Sequence, residues 1–168
     1  CEPTPGQEQK LPFHVPIVLG LLDETGYELD LSKTEVRCSM DTSLRDNNRS
    51  LLLELREQAT EIEFASFDTK PVVSFLREFS APVKLNYQRE KEETQFIARN
   101  DNDGFVRWDA MQTLWLAAFD DPMLEEAPCE VVQETAIEAL KAENAEQKLL
   151  RANMLSVPTE LYLLEQLS

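Results

Sequence analysis

The sequence has a single histidine, His14, among its 168 residues. A Ser-His-Asp or Cys-His nucleophile system would have to use this one side chain. A His-Glu-x-x-His zinc motif needs two histidines and is therefore excluded from this chain. His14 falls on a predicted strand near a proline, so we interpret it as a structural or surface residue and not as a catalytic base.

Glycine and cysteine are also scarce. The four glycines form neither a G-x-G-x-x-G sequence nor a phosphate-binding loop. The three cysteines, Cys1, Cys38 and Cys129, are widely spaced and include no C-x-x-C pair, which argues against a zinc knuckle or a redox dithiol. We therefore predict reduced thiols and a cytoplasmic protein.

No long apolar run is present. The longest run, Val15–Leu22, is interrupted by Pro16 and Gly20, and it falls far short of the roughly 20 residues that a membrane-spanning helix needs. No basic segment precedes an apolar one, so no signal peptide is visible. The sequence predicts neither a membrane span nor a secretory leader.

Positive charge is the remaining deficit. The chain has 16 lysines and arginines against 32 aspartates and glutamates, which gives a net charge of −16 and a pI near 4.4. This balance argues against nucleic acid or an anionic membrane as a partner. The excess is uneven, because residues 1–89 hold 10 basic and 15 acidic residues whereas residues 90–168 hold 6 and 17.

The first part of the chain has the period of β-strands. Residues 1–12, with three prolines and a glycine, are typical of a loop. The next alternating apolar residues are Phe13, Val15, Ile17, Leu19 and Leu21. A turn is predicted at residues 23–26 and a returning strand at 27–31. Pro16 indicates an edge position or a bulge in the first strand.

Further short strands are expected up to residue 89. Residues 32–48 are polar and indicate loop, with room for one short strand. A bend is predicted at Ser80-Ala81-Pro82, since proline cannot donate to a central ladder. The predicted inward residues are Leu51, Leu53, Leu55, Ile62, Phe64, Val73 and Phe75, followed after the bend by Val83, Leu85 and Tyr87. Short strands without intervening helices predict an antiparallel, immunoglobulin-like β-sandwich over residues 1–89.

From Glu90 the period is helical, so residues 90–168 are predicted to be short packed helices. The first helix runs to a turn at residues 101–104, and Asp103 is the expected N-cap of the second. The expected core stripe of that helix is Phe105, Trp108, Gln112, Trp115 and Phe119, widened by Leu114 and Leu116. Asp120-Asp121-Pro122 would end it. Two more helices are predicted at residues 130–142 and 145–155, and Pro158 would open another.

None of the remaining motifs predicts an active site. If Gly104 took the sixth position of a calcium-binding loop, Arg99 and Ala110 would stand where carboxylates are required, so a turn and helix cap is the better interpretation. Asn48-Arg49-Ser50 is a glycosylation sequon by pattern only. The acidic pairs at residues 90–93 and 125–126 suit solvated helix starts. We predict no catalytic, cofactor-binding or metal-binding residue in this chain.

Three stretches carry a resemblance to a known family. They are TPGQEQKLPFHVPIVLGLLDETG at residues 4–26, TKPVVSFLREFSAPVKLNY at 69–87 and NDGFVRWDAMQTL at 102–114. Together they resemble the bacterial zinc aminopeptidase N family of gluzincin metallopeptidases. Residues 69–87 and 102–114 are similar to the end of the third, sandwich-like domain and the start of the fourth, helical domain, and residues 4–26 are similar to the opening of that third domain. Residues 32–60 and 120–168 match more by pattern than by letter.

The resemblance implies a non-catalytic piece of a larger enzyme. In that family zinc is held by a His-Glu-x-x-His motif and a downstream Glu, a Gly-rich acidic motif recognises the substrate's amino terminus, and a Tyr stabilises the tetrahedral intermediate. All of these lie in an upstream domain, and none has a matching position here. Zinc would therefore be bound outside this chain, in a parent enzyme that removes N-terminal amino acids from peptides.

The partners implied by the resemblance are the upstream catalytic domain, the downstream helical domain and the peptide substrates of the parent. This chain would hold the helical cap over the catalytic cleft. The chain begins at Cys1 without methionine and ends at Ser168 after an amphipathic segment, which predicts a piece of a longer protein. The alternative is a free-standing acidic, immunoglobulin-like module that binds a protein partner.

Overall fold

The computed structural model describes residues 6, 11–65, 67–120, 133–134, 137, 141, 145–159 and 162–163. The chain forms two compact units, Cys1–Lys84 and Leu85–Ser168. The predicted division after residue 89 stays a prediction.

The first unit contains six short strands in two antiparallel sheets. A four-stranded sheet has the order β3-β4-β1-β6, and a smaller one pairs β2 with β5. The strands are β1 (Val15–Leu22), β2 (Glu35–Cys38), β3 (Thr42–Arg45), β4 (Ser50–Leu55), β5 (Ile62–Ala65) and β6 (Val72–Phe75). Short 3-10 helices cover Leu31–Lys33 and Arg77–Phe79. The polar stretch 32–48 thus holds two strands, β2 and β3, where one was expected.

Alternating side chains of the two sheets form the core of the first unit. Leu19, Leu21 and Leu51 are almost fully buried, together with Leu31 from the first 3-10 helix. The partly buried residues packed against them include Val36, Ile62, Phe64, Val73 and Phe75. The predicted inward positions of β5 and β6 are therefore confirmed, because strands with period 2 turn one face to the core.

Strand β1 as a whole lies inside its sheet, but the predicted edge position holds locally at Pro16, where β4 is the only neighbouring strand among the described residues. Strand β1 pairs with β4 without interruption from Val15↔Leu55 to Gly20↔Ser50, which excludes a bulge there. Strand β6 pairs with only the second half of β1, from Leu19 to Leu22. Pro16 is tolerated because no strand contacts its end of β1 on the β6 side, where a missing N–H leaves no ladder bond unmade.

A serine hydroxyl continues the β1 ladder beyond the end of β6. The Val18 amide donates to Ser80 Oγ over 2.9 Å. Amides two residues apart point to the same side of a strand, so the nitrogen of Pro16 also faces this side. The Ser80-Ala81-Pro82 segment therefore closes the sheet through a side chain and not as a bent strand.

The predicted turn at residues 23–26 is confirmed. Asp23 Oδ1 accepts hydrogen bonds from the Thr25 amide, the Thr25 hydroxyl and the Tyr27 amide. The bond from the Thr25 hydroxyl is the main cause that lowers the pKa of Asp23. The returning strand at 27–31 is wrong, since only one bridge, Leu22↔Glu28, forms before the 3-10 helix begins.

The predicted strand after Ser80 is also wrong. Residues 80–90 form no strand, and Val83, Leu85 and Tyr87 are each about 40% exposed. Alternation alone does not make a strand, because an extended segment also needs a neighbour to pair its backbone groups. None of the six strands of the structure pairs with this segment.

The second unit contains α1 (Lys91–Asn100), α2 (Gly104–Asp120) and α3 (Ala145–Met154). Helix α2 packs against both α1 and α3. Asp103 is the predicted cap of α2, and its Oδ1 accepts from the Val106 amide over 2.9 Å.

The remaining helix predictions fall largely outside the described residues. Asp121 and Pro122, which were predicted to end α2, lie outside the described residues, and so does most of the helix expected at 130–142. Of that helix, residues 133–134, 137 and 141 are described and helical. After Pro158, the Tyr162 amide donates to Thr159 Oγ1, and residues 162–163 are helical.

The buried face of α2 agrees with the predicted stripe at Gln112 and Leu114 but not at its aromatic positions. The buried apolar residues are Val106, Ala110, Met111 and Leu114. Trp108 and Trp115 are only half-buried, and Phe119 is 47% exposed. Small and flexible side chains occupy the helix contacts because they let neighbouring backbones approach and fill irregular gaps.

None of the three helices is both long enough and apolar enough to cross a membrane, as far as the described residues extend.

Candidate functional site

The described side chains that were weighed for chemistry each have their own local surroundings. His14 is exposed, and its Nε2 lies 3.2 Å from Glu54 Oε2. Cys38 is a half-buried free thiol, whereas Cys1 and Cys129 lie outside the described residues. Within the described part of the chain, no three His, Cys, Asp or Glu side chains are placed to hold a metal ion.

The turn at residues 101–104 uses its carboxylates on the backbone. Asp101 is buried, and its Oδ1 accepts from the Asp103 amide over 2.9 Å. Asp103 in turn caps α2. This is the turn and helix cap that the sequence predicts.

A buried arginine, Arg77, makes a polar cluster in the first unit. Ser50 of β4, Gly20 of β1 and Ser74 of β6 occupy adjacent positions on three neighbouring strands. We call these three residues the serine platform. Arg77 is 3% exposed, and its guanidinium lies on the platform, where a Cβ added to Gly20 would be 2.3 Å from Arg77 Cζ. Only glycine leaves room there for the guanidinium.

Among the described residues, side-chain oxygens of Ser74, Ser50 and Glu28 accept hydrogen bonds from the guanidinium. Arg77 Nε donates to Ser74 Oγ over 2.9 Å, and Nη1 donates to Ser50 Oγ over 3.2 Å. Nη1 also donates to Glu28 Oε1 over 2.6 Å, in an ion pair that is nearly buried on both sides. A pair of this kind adds little net stability when intact, but removing one partner leaves a costly buried charge.

The backbone around Arg77 is left-handed at three non-glycine residues. The φ angles are 58° at Leu76, 58° at Glu78 and 51° at Phe79. Residues with a Cβ disfavour this region by roughly 1–2 kcal/mol each. Local sequence did not predict the cluster, because Gly20 and Ser50 are distant in sequence from Ser74 and Arg77. The available signal was a serine at a buried position in each of two apolar strands.

The second unit holds a half-buried carboxylate, Asp109, in the RWDA stretch. Burial raises the pKa of the Asp109 carboxyl above its ordinary value of 3.8, and the nearby Arg89 guanidinium opposes this. Arg89 also bonds Glu93 Oε1 over 3.2 Å and lies 5.2 Å from the centre of the Tyr87 ring. Burial, with the Asp109 charge, raises the pKa of the Tyr162 phenol.

Asp109→Asn is expected to stabilise the second unit at pH 7 by roughly 1 kcal/mol. The folded-state pKa lies above the unfolded one, so ionisation of Asp109 opposes folding. Its favourable contribution is complete below the unfolded pKa and is lost as the pH rises through the folded pKa. The gain from asparagine should therefore shrink as the pH falls toward 3.8. Arg89 keeps Glu93 as a partner in the variant.

Thermal unfolding followed by tryptophan fluorescence measures this, because both tryptophans lie in the second unit. Glu92→Gln is the matched control, since Glu92 is an exposed acid in the first turn of α1 and its removal should not stabilise. A lower melting temperature for Asp109→Asn at pH 7 would show that the charge is needed there.

A groove of about 340 Å³ lies between α2 and the region of α3. Its lining consists of Gly104, Phe105, Trp108, Leu150, Asn153 and Ser156. A Cβ added to Gly104 would lie 2.8 Å from Leu150 Cδ1, so the helices approach closely at this end. None of the described residues that line the groove is charged, and they offer mainly apolar contact.

Two protein-family models match the chain, one over each of its two parts. Residues 1–88 match the family described as a domain of unknown function, DUF3458, with an Ig-like fold. The chain belongs to the DUF3458 family. Residues 91–168 match the companion family DUF3458_C, described as ARM repeats. The predicted fold class, an immunoglobulin-like sandwich followed by packed helices, is thereby confirmed.

Three curated relatives are named aminopeptidase N. The protein of Escherichia coli strain K12 is 32% identical over 111 residues, which are 66% of this chain and 12% of its own length. The Haemophilus influenzae protein is 29% identical over 116 residues, which cover 67% of this chain and 12% of its own length. The Caulobacter vibrioides protein is 32% identical over 123 residues, which cover 70% of this chain and 13% of its own length. The resemblance to aminopeptidase N is confirmed, and the chain spans only 12 to 13% of these relatives.

A solved structure has the same fold. The crystal structure of Legionella pneumophila aminopeptidase A in complex with aspartic acid superposes with a TM-score of 0.61 over 90% of this chain and 16% of that one. The two sequences are 21% identical, so this comparison supports the fold alone.

Proposed function

We propose that this chain is a non-catalytic part of a zinc-dependent aminopeptidase that removes N-terminal amino acids from peptides. Its role is to hold the helical domain in fixed geometry relative to a catalytic domain upstream. The partners are that catalytic domain and the rest of the helical domain, and the parent acts on peptides in the cytoplasm.

One observation carries the proposal. The matched region of aminopeptidase N is about an eighth of each relative, and it runs through both the sandwich and the helices of this chain. The single histidine, His14, is bound to Glu54 and cannot supply a two-histidine zinc motif. Zinc and the reacting groups would therefore reside in the upstream domain. There the metal would activate water in a closed site.

The test is immunodepletion of a lysate from the source cells. An antibody raised against the 168-residue chain should recognise a band several times larger than 19.3 kDa. It should remove chelator-sensitive aminopeptidase activity from the cytoplasmic fraction. The same antibody, pre-absorbed with the purified chain, is the control and should remove nothing. A band at 19.3 kDa, with the activity left behind, would overturn the proposal and favour a free-standing interaction module.

A further inference from the structure

The turn that follows β6 is held in an unfavourable conformation. Leu76, Glu78 and Phe79 are all left-handed, and none of them is glycine. Each such residue costs free energy, and the conformation persists only where the surrounding structure fixes it. Contacts of the turn with the surrounding structure must therefore hold it in this conformation.

The two outward residues of the turn contribute little by burial. Phe79 is 54% exposed, and Glu78 is exposed as well. The inward residues are different, since Leu76 and Arg77 are both almost fully buried. Arg77 is bonded to β4 through Ser50, to β6 through Ser74 and to Glu28.

The far end of the turn is attached to β1. Ser80 Oγ accepts the Val18 amide over 2.9 Å, and the Ser80 amide donates to the Arg77 carbonyl over 3.1 Å. If the turn relaxed, Ser80 would move and the Val18 amide would lose its acceptor. The protection of that one amide therefore reports the geometry of the turn.

We propose that Arg77 is a positioning residue whose guanidinium, seated on the serine platform, locks residues 76–79 in the left-handed turn and so fixes where the chain leaves the sheet. The buried ion pair contributes geometry more than net stability. If the proposed function holds, the same lock sets the path of the polypeptide that continues from the sandwich in the parent enzyme.

Hydrogen exchange of the Val18 amide in the full 168-residue chain tests the lock. Arg77→Met keeps the aliphatic length but donates no hydrogen bond. Val18 exchange should accelerate about five- to thirty-fold, because the strain of a left-handed residue is no longer held. Adding Glu78→Gly should restore most of the protection, since glycine adopts φ of 58° freely.

Two matched controls separate conformation from lost contacts. Glu78→Ala removes the same side chain without giving the freedom of glycine, so it should not rescue Arg77→Met. Asn47→Gly places glycine at φ of 50° in the turn between β3 and β4, and it should not rescue either. Unchanged Val18 exchange in Arg77→Met, or equal rescue by Glu78→Ala, would overturn the proposal.

A second variant covers failure of Arg77→Met to fold. Arg77→Lys keeps the charge opposite Glu28 but cannot reach both serines with a planar fork. Val18 exchange should be intermediate, and Glu78→Gly should again slow it. An Arg77→Lys chain with the Val18 protection of the original chain would contradict the lock.

The consequence for the enzyme is measured separately. In the longer natural protein, Arg77→Met should lower aminopeptidase activity with zinc content unchanged, and Glu78→Gly should restore it. Full activity with a loosened turn would overturn the positioning role. If no aminopeptidase activity accompanies the chain while the exchange result holds, the proposed function fails and the lock stands.

Discussion

Gly20→Ala is expected to destabilise the first unit by roughly 3 kcal/mol. The new Cβ would lie 2.3 Å from Arg77 Cζ and 2.5 Å from Nε, well inside contact distance. The guanidinium cannot withdraw without losing its bonds to Ser74, Ser50 and Glu28. One methyl group therefore breaks a buried ion pair, which is a far larger effect than alanine usually has in a strand.

Amide signals of β1 in urea measure this effect by NMR. Tryptophan fluorescence would not, because Trp108 and Trp115 both lie in the second unit. The decisive control is the same substitution in an Arg77→Ala background, where the obstruction is gone and Gly20→Ala should cost less than about 1 kcal/mol. Equal costs in the two backgrounds would show that the guanidinium does not require glycine beneath it.

Met111→Ala is expected to cost roughly 3 kcal/mol of the stability of the second unit. Met111 is 0% exposed on the face of α2 that packs in the helical core, so truncation leaves a cavity. Phe119→Ala, on the same helix, removes a larger side chain that is 47% exposed and should cost less than about 1 kcal/mol.

Urea unfolding followed by tryptophan fluorescence compares the two variants. The transition midpoint is the quantity to read, since Phe119 lies 6.4 Å from Trp115, between ring centres, and its loss will alter the signal itself. A Phe119→Ala chain destabilised as much as Met111→Ala would restore the aromatic stripe as the core face of α2.

The alternation of apolar residues predicted which residues of a strand face the core, but it did not predict which strands pair with each other. Ile62, Phe64, Val73 and Phe75 alternate because one face of each strand meets the core, and that could be predicted. The same alternation at 83–87 produced no strand, because pairing depends on a partner that local sequence does not specify. Pro16 indicated a local edge correctly, since β6 stops short of it, but it gave no sign that the rest of β1 lies between two strands.

The cluster around Arg77 also could not be predicted from local sequence. Each of its members is unremarkable in its own segment, and their meeting depends on the register of β4 and β6 against β1. On α2, aromatic residues suggested the core because they are the largest apolar side chains. The structure instead buries Met111 and Ala110, which fit between closely packed helices.

The central place of β1 in its sheet also bears on the order in which the protein folds. Val15–Leu22 is made before both strands that it pairs with, and Leu19 pairs with Leu51 and Phe75, far along the chain. Pairings so distant in sequence form slowly, and until they form both edges of an apolar strand stay open to other chains. The sandwich must wait for Ser80 to emerge, so its vulnerable period lasts until nearly its last residue has been added.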